Sequence, residues 1–190
     1  MAVKGGRVQR KNRSEESTRP GRYLLPDLTI DRRPADRGYR HLVTAEVLRR
    51  FLPLLPDWEG LRVGLHRIVL DAGNADCLGW HEPGVIGLCA WERQMVWRSC
   101  DAEFLRDHRS VFDRLGIDYE LTGRQEVRFT ESQARAFLLV HVLVHELGHH
   151  RDRMTTRSQA GPARGESFAE AYARQHEAEI VRQYWREFRE

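Results

Sequence analysis

An α+β fold is predicted for this chain: a small antiparallel or mixed sheet followed by two long helices. Three observations predict it. Stretches with helical spacing and stretches with strand-like alternation come in blocks rather than as a regular βαβ succession, and the last two blocks are both helical. At 190 residues, with 41% hydrophobic residues, the chain can bury one core of ordinary size. No internal repeat or second hydrophobic block divides it, so residues 23–190 read as a single domain.

The first 22 residues, "MAVKGGRVQRKNRSEESTRPGR", carry seven Lys/Arg against Glu15 and Glu16 and almost no apolar side chains. They cannot bury enough surface to order themselves and read as a disordered basic tail. Residues 23–41 contain two prolines and scattered apolar residues, and read as an extended arm on the domain surface. Thr44 then offers an N-cap. Val47, Leu48, Phe51, Leu52 and Leu55 keep helical spacing, with Pro53 predicting an early end or a kink.

Residues 61–70, "LRVGLHRIVL", read as a strand. "CLGWHEPGVIGLCAW" reads as a hairpin turning at Glu82-Pro83-Gly84. Phe104, Leu105, His108, Val111, Phe112 and Leu115 share a helix face that Gly116 terminates. "IDYELTGRQEVRF" is a weaker strand pair around Thr122-Gly123. A long helix starts at Thr130, where Gln133 completes a capping box, and runs to about Met154. After "TTRSQAGPARG" a last helix covers roughly 163–189.

The formal charge is only +3, despite a pI near 9.0, and the cations are nearly all arginine. A nucleic-acid partner is therefore weakly indicated, through the N-terminal tail alone. Cys77, Cys89 and Cys100 are odd in number and form no C-x-x-C pair, so reduced thiols and a cytoplasmic location are expected. The N-terminus lacks an apolar signal region, and no run approaches the ~18 apolar residues of a membrane span.

The chemistry concentrates in "VLVHELGHHRDR". His145-Glu146-Leu147-Gly148-His149 is an H-E-x-x-H string on a helix that its apolar lead-in, Val140 to Val144, marks as buried. Residues four apart share a helix face, so His145 and His149 can aim two imidazoles at one zinc ion. Glu146 can accept the proton of a water that zinc has acidified. Gly148 costs about 1 kcal/mol of helix propensity, which makes sense if another backbone comes close. His141 continues the i, i+4 series, but its Cα lies about 12 Å along the axis from that of His149. It reads as packing or as support for a ligand. His150 points about 100° away from His149 and reads as a surface residue or a partner for the helix C-terminus.

A third ligand must come from elsewhere, and "GESFAEAYA" offers Glu166 and Glu170 on one helix face. One carboxylate can bind zinc. The other can accept the free N–H of a ligand histidine and fix its tautomer.

These residues resemble the gluzincin metallopeptidases, and most closely the catalytic domain of the anthrax lethal factor type. There H-E-F-G-H is followed three residues on by Asp, and later by E-F-F-A-E-A-F. Here "HELGH" is followed by Asp152 and then by "ESFAEAY", residues 166–172. The resemblance covers roughly residues 140–173. It implies a zincin-like fold, with Zn2+ held by His145, His149 and Glu166, Glu146 as catalytic base, and Glu170 supporting a ligand. It also implies hydrolysis of peptide bonds in a peptide or protein substrate laid along a sheet edge; "GVIGLCAW" reads first as an ordinary buried strand and, as the alternative, as that edge.

Two departures stand out. Only 16 residues separate His149 from Glu166. The tyrosine that the lethal factor type carries seven residues before its ligand glutamate is Gln159 here, which leaves Tyr172, His176 and Arg157 as alternative electrophiles. A deformylase-type cysteine ligand would have to be Cys77, with 67 residues between it and His145, and that separation together with Glu166 and Glu170 argues against it. The alternative function is a catalytically inactive, zinc-stabilised binding module of the same fold, holding a partner or nucleic acid through the Arg-rich N-terminus.

Overall fold

The computed structural model describes residues 28–73, 77–123, 125–156 and 163–188, together with a two-residue ribbon pairing Val3–Lys4 with Arg7–Val8. Apart from that ribbon, the tail expected over residues 1–22 lies outside the described residues. The fold is α+β. Its main sheet has four strands in the order Thr29–Arg32, Arg67–Asp71, Val85–Cys89, Gly79–Glu82. The first three are mutually parallel and the last is antiparallel to its neighbour, so the sheet is mixed.

Part of the arm expected on the surface is therefore a sheet strand. Thr29–Arg32 pairs along its length with Arg67–Asp71, and Tyr39–Arg40 pairs with Trp91–Glu92. The parallel pairing needs a crossover, and the helix Ala45–Phe51 supplies it. Thr44 caps this helix, accepting from the Val47 N–H, and the chain tightens into a 3-10 turn over Leu52–Leu54 at Pro53.

The expected strand over 61–70 is shorter than its apolar run. Trp58–Leu61 is a helical turn, and the strand begins at Arg67. Gly64, with φ 72°, turns the chain between the two, and a Cβ at Gly84 would stand 2.9 Å from the Gly64 carbonyl oxygen. Apolar alternation alone does not reveal a left-handed residue that ends one element and starts another.

The hairpin is as expected, and its second arm is the buried strand rather than the alternative sheet edge. Val85–Cys89, within "GVIGLCAW", is paired on both sides and is buried. The free edge is Gly79–Glu82.

The helix expected over 101–116 is broken at His108 into Ala102–Asp107 and Arg109–Leu115, and Gly116 closes it in the left-handed conformation. The strand pair around Gly123 is present as Asp118–Tyr119 with Val127–Arg128, extended by Val96–Trp97. The long helix runs from Glu131 to Met154, capped by the reciprocal Thr130–Gln133 pair. Its middle, Leu138–Leu143, is π-helical and entirely buried. The last helix is Glu166–Glu187. It is tied to Arg109–Leu115 through buried Glu177, which accepts from Ser110 Oγ at 2.8 Å and Arg114 Nε at 2.9 Å.

One core joins these parts. Leu48, Phe51, Ile68, Leu70, Ile86, Leu88, Phe112, Phe137, Leu147 and Tyr184 are all essentially inaccessible to solvent. Among the described residues no helix is long and apolar enough to cross a membrane.

Candidate metal centre

The motif lies on the helical segment Val144–Met154, pressed between the edge strand and the last helix. Gly148 explains how closely the last helix approaches. A Cβ there would stand 2.8 Å from Ala169 Cα and 3.0 Å from Ala169 O. The glycine thus permits a backbone-to-backbone crossing, and Ala169 is the residue immediately before Glu170. Gly79 plays the same part on the other side, since a Cβ there would be 3.0 Å from Glu146 Cγ and Oε1. Glu146 is itself buried, 2% exposed, beneath the edge strand.

The crossing brings both glutamates of the last helix onto the motif histidines. His145 Nε2 is 3.2 Å from Glu166 Oε2, and His149 Nε2 is 3.5 Å from Glu166 Oε1. The other nitrogen of His145, Nδ1, is 3.2 Å from Glu170 Oε2. An ionised carboxylate only accepts, so in the metal-free protein Nδ1 donates to Glu170 and Nε2 to Glu166, and only loss of the Nε2 proton would leave a lone pair for a metal. Glu170 is held in turn by Arg174 Nε at 2.8 Å. His145, His149 and Glu166 each offer a ligand atom, all within 4.8 Å of one another, and Glu166 is the exposed member at the mouth.

The electrostatics call for a cation. Burial works against charge on His145, yet its hydrogen bonds to Glu166 and Glu170 and the charge of Glu146 lift its pKa to about 9. Hydrogen bonds from His145 and His149 hold Glu166 far below the usual carboxylate range. Burial would raise Glu170, but His145 and the neighbouring His141 and His108 bring it down to about 2. Where no metal is bound, a proton on His145 answers the carboxylates.

Asp152 positions Glu166. Fully buried, it accepts from Arg164 Nε at 2.8 Å, from the Arg164 backbone N–H at 2.8 Å and from the Gly165 N–H at 2.9 Å. The clasp sets the chain immediately before Glu166, at the start of the last helix, against the end of the motif helix. In the sequence Asp152 was legible only as an offset in the resemblance.

His150 is not on the surface. It is 1% exposed, with Nε2 2.9 Å from Val63 O. Val63 is an exposed loop residue, and no periodicity in the sequence links it to the motif. His81, on the edge strand, went unnoticed in the sequence. Its ring stacks 6.1 Å from that of His149 and meets that of His150 edge-on at 5.9 Å. Burial, followed by the charges of His150, His149 and Arg153, lowers its pKa to about 3. Strand alternation puts His81 on the face of Gly79, which meets the helix.

Of the alternative electrophiles among the described residues, Tyr172 and His176 pack against one another. Tyr172 has ring contacts with Phe168 and His176, and the charges it feels are those of Arg151 and Asp57. Arg157 and Gln159 lie outside the described residues. Cys77 and Cys89 are buried, 3.3 Å apart and not joined in a disulfide.

No protein-family model, curated protein or solved structure matches this chain. Its function must therefore be argued from the centre itself.

Proposed function

We propose that the chain is a zinc-dependent metallopeptidase of zincin-like fold and gluzincin type, with His145, His149 and Glu166 as metal ligands. One observation carries the reading. Two imidazole nitrogens face the two oxygens of one carboxylate at 3.2 and 3.5 Å, and tetrahedral ligands at zinc–ligand distances of ~2.0–2.1 Å stand about 3.3 Å from one another. The donor set is also right chemically. It comprises two neutral imidazoles, one with its tautomer set by Glu170, and one carboxylate.

A bound zinc ion would polarise a substrate carbonyl and acidify a water. Glu146 would accept a proton from such a water and hand it to the leaving amine. Its burial under Gly79 keeps the carboxylate apart from bulk solvent and on the side of the edge strand. An extended peptide pairs with Gly79–Glu82, whose outer edge has no strand partner among the described residues.

The test uses the full chain. Purified protein should contain one zinc per chain and hydrolyse an unfolded protein substrate. Glu146→Gln should keep the zinc and lose roughly 10²–10⁴ in kcat. Retained activity in Glu146→Gln removes the proposed base. Zinc with no hydrolysis in the unaltered chain leaves a metal-stabilised binding module.

A further inference from the structure

Behind the proposed ligands lies a second group of two histidines and a glutamate. His108, His141 and Glu170 offer atoms within 4.8 Å of one another. His141 is 2% exposed and His108 5% exposed. His108 Nε2 and both ring nitrogens of His141 have no hydrogen-bond partner in the protein. Buried polar atoms are rarely left this way.

Donor counting says what is missing. His108 Nδ1 is 2.8 Å from Phe104 O, and a carbonyl can only accept. The proton is therefore on Nδ1, and Nε2 is an acceptor. Glu170 Oε2 is also an acceptor. A neutral His141 brings one donor and one acceptor. The group thus holds more lone pairs than protons to fill them. His141 Nε2 stands 3.8 Å from Glu170 Oε2, too far for a direct bond.

A second metal ion is the wrong occupant. Arg174 already sits on Glu170 at 2.8 Å. One divalent ion at His145, His149 and Glu166, together with Arg174, balances the three carboxylates Glu146, Glu166 and Glu170. A further dication would leave the interior strongly positive. A water fits the count. It donates to His108 Nε2 and Glu170 Oε2 and accepts from His141. Atoms up to 4.8 Å apart can all reach one centre at about 2.8 Å, which is hydrogen-bond distance.

We infer that one buried water joins His108 and His141 to Glu170, making these two histidines positioning residues for Glu170 and, through it, for the metal-facing nitrogen of His145. The inference rests on the metal reading above. His141 packs on Phe137 and His108 on Phe104 and Phe112, so a phenylalanine at either position suits its neighbours while removing the polar link.

The experiment compares the full chain with His141→Phe, His108→Phe and His141→Gln. Cobalt affinity is measured by chelator competition, with the visible cobalt band, metal stoichiometry and the Tm of the metal-free protein. Each Phe variant should bind cobalt roughly 10–100-fold more weakly, with a shifted band, while the metal-free Tm holds or rises. His141→Gln should recover part of the affinity.

Affinities within about threefold of the unaltered chain in both Phe variants overturn the relay. A metal-free Tm that falls along with the affinity assigns the histidines to fold stability and overturns it too. Two ions per chain, falling to one in His108→Phe, overturn it in favour of a metal. An unaltered chain that binds neither cobalt nor zinc defeats the metal reading first.

Discussion

Two triads of the same chemistry each draw on the long helix and the last helix, one of them adding His108 from the break between Ala102–Asp107 and Arg109–Leu115, yet their surroundings make them different devices. His145, His149 and Glu166 form the outer triad, open to solvent at Glu166. His108, His141 and Glu170 form the inner one, closed over by Phe104, Phe137 and Phe112 and already provided with a cation in Arg174. Ligand-type residues in proximity do not by themselves make a metal site. On the proposed reading, charge balance and access would decide which triad takes an ion. Glu170 belongs to both, touching His145 Nδ1 at 3.2 Å and facing His141 Nε2 at 3.8 Å.

The sharpest way to separate the triads is to remove one glutamate from each. Glu170→Ala should weaken zinc binding roughly 10–100-fold. Glu166→Ala, which removes a ligand atom, should weaken it beyond that range. Chelator competition measures both, and equal losses would collapse the distinction between ligand and support.

The next effect is one of pH. In metal-free protein His145 titrates at about 9, above the ~6.5 of an unfolded histidine. Burial opposes the shift, and Glu166, Glu170 and Glu146 outweigh it. A raised folded value stabilises fully below pH ~6.5, and that contribution is lost as pH rises through about 9. Chelator-treated protein should therefore lose on the order of 3 kcal/mol across that window in denaturant titrations. Zinc-loaded protein should not, because the metal needs the unprotonated ring. A flat profile for the metal-free chain would mean that the carboxylates do not act on His145.

The smallest expected effect lies at the mouth. Asp152→Ala frees the N–H groups of Arg164 and Gly165 and the Arg164 side chain. Arg164 is half exposed and can turn to water, so the cost should be about 2 kcal/mol in unfolding free energy. Zinc affinity should fall with it, because Glu166 follows Gly165 directly. Weakened stability with unchanged affinity would show that the clasp serves the fold alone.

Much of this was legible before any coordinates. The α+β order, the Thr44 cap, the Thr130–Gln133 capping box, the Gly116 stop and the backbone approach at Gly148 all depend on local rules. Each is stated by a residue and its neighbours within four positions, and each is present in the structure. The pairing of Glu166 and Glu170 with His145 was legible from i, i+4 spacing on two helices and from the resemblance.

What escaped the sequence depends on residues far apart in the chain. Which hairpin arm is the edge is set by the parallel pairing of Arg67–Asp71 with Val85–Cys89, and no feature of "GVIGLCAW" states it. His150 is buried because Val63 supplies a carbonyl 87 positions away. His108 meets His141 because the helix around His108 breaks and packs across the π-helical segment. Sequence alone determined the residue types and the helix faces that present them, because helical periodicity is local. Tertiary structure decided which face meets which, because burial of one core and the charge balance inside it are properties of the whole chain.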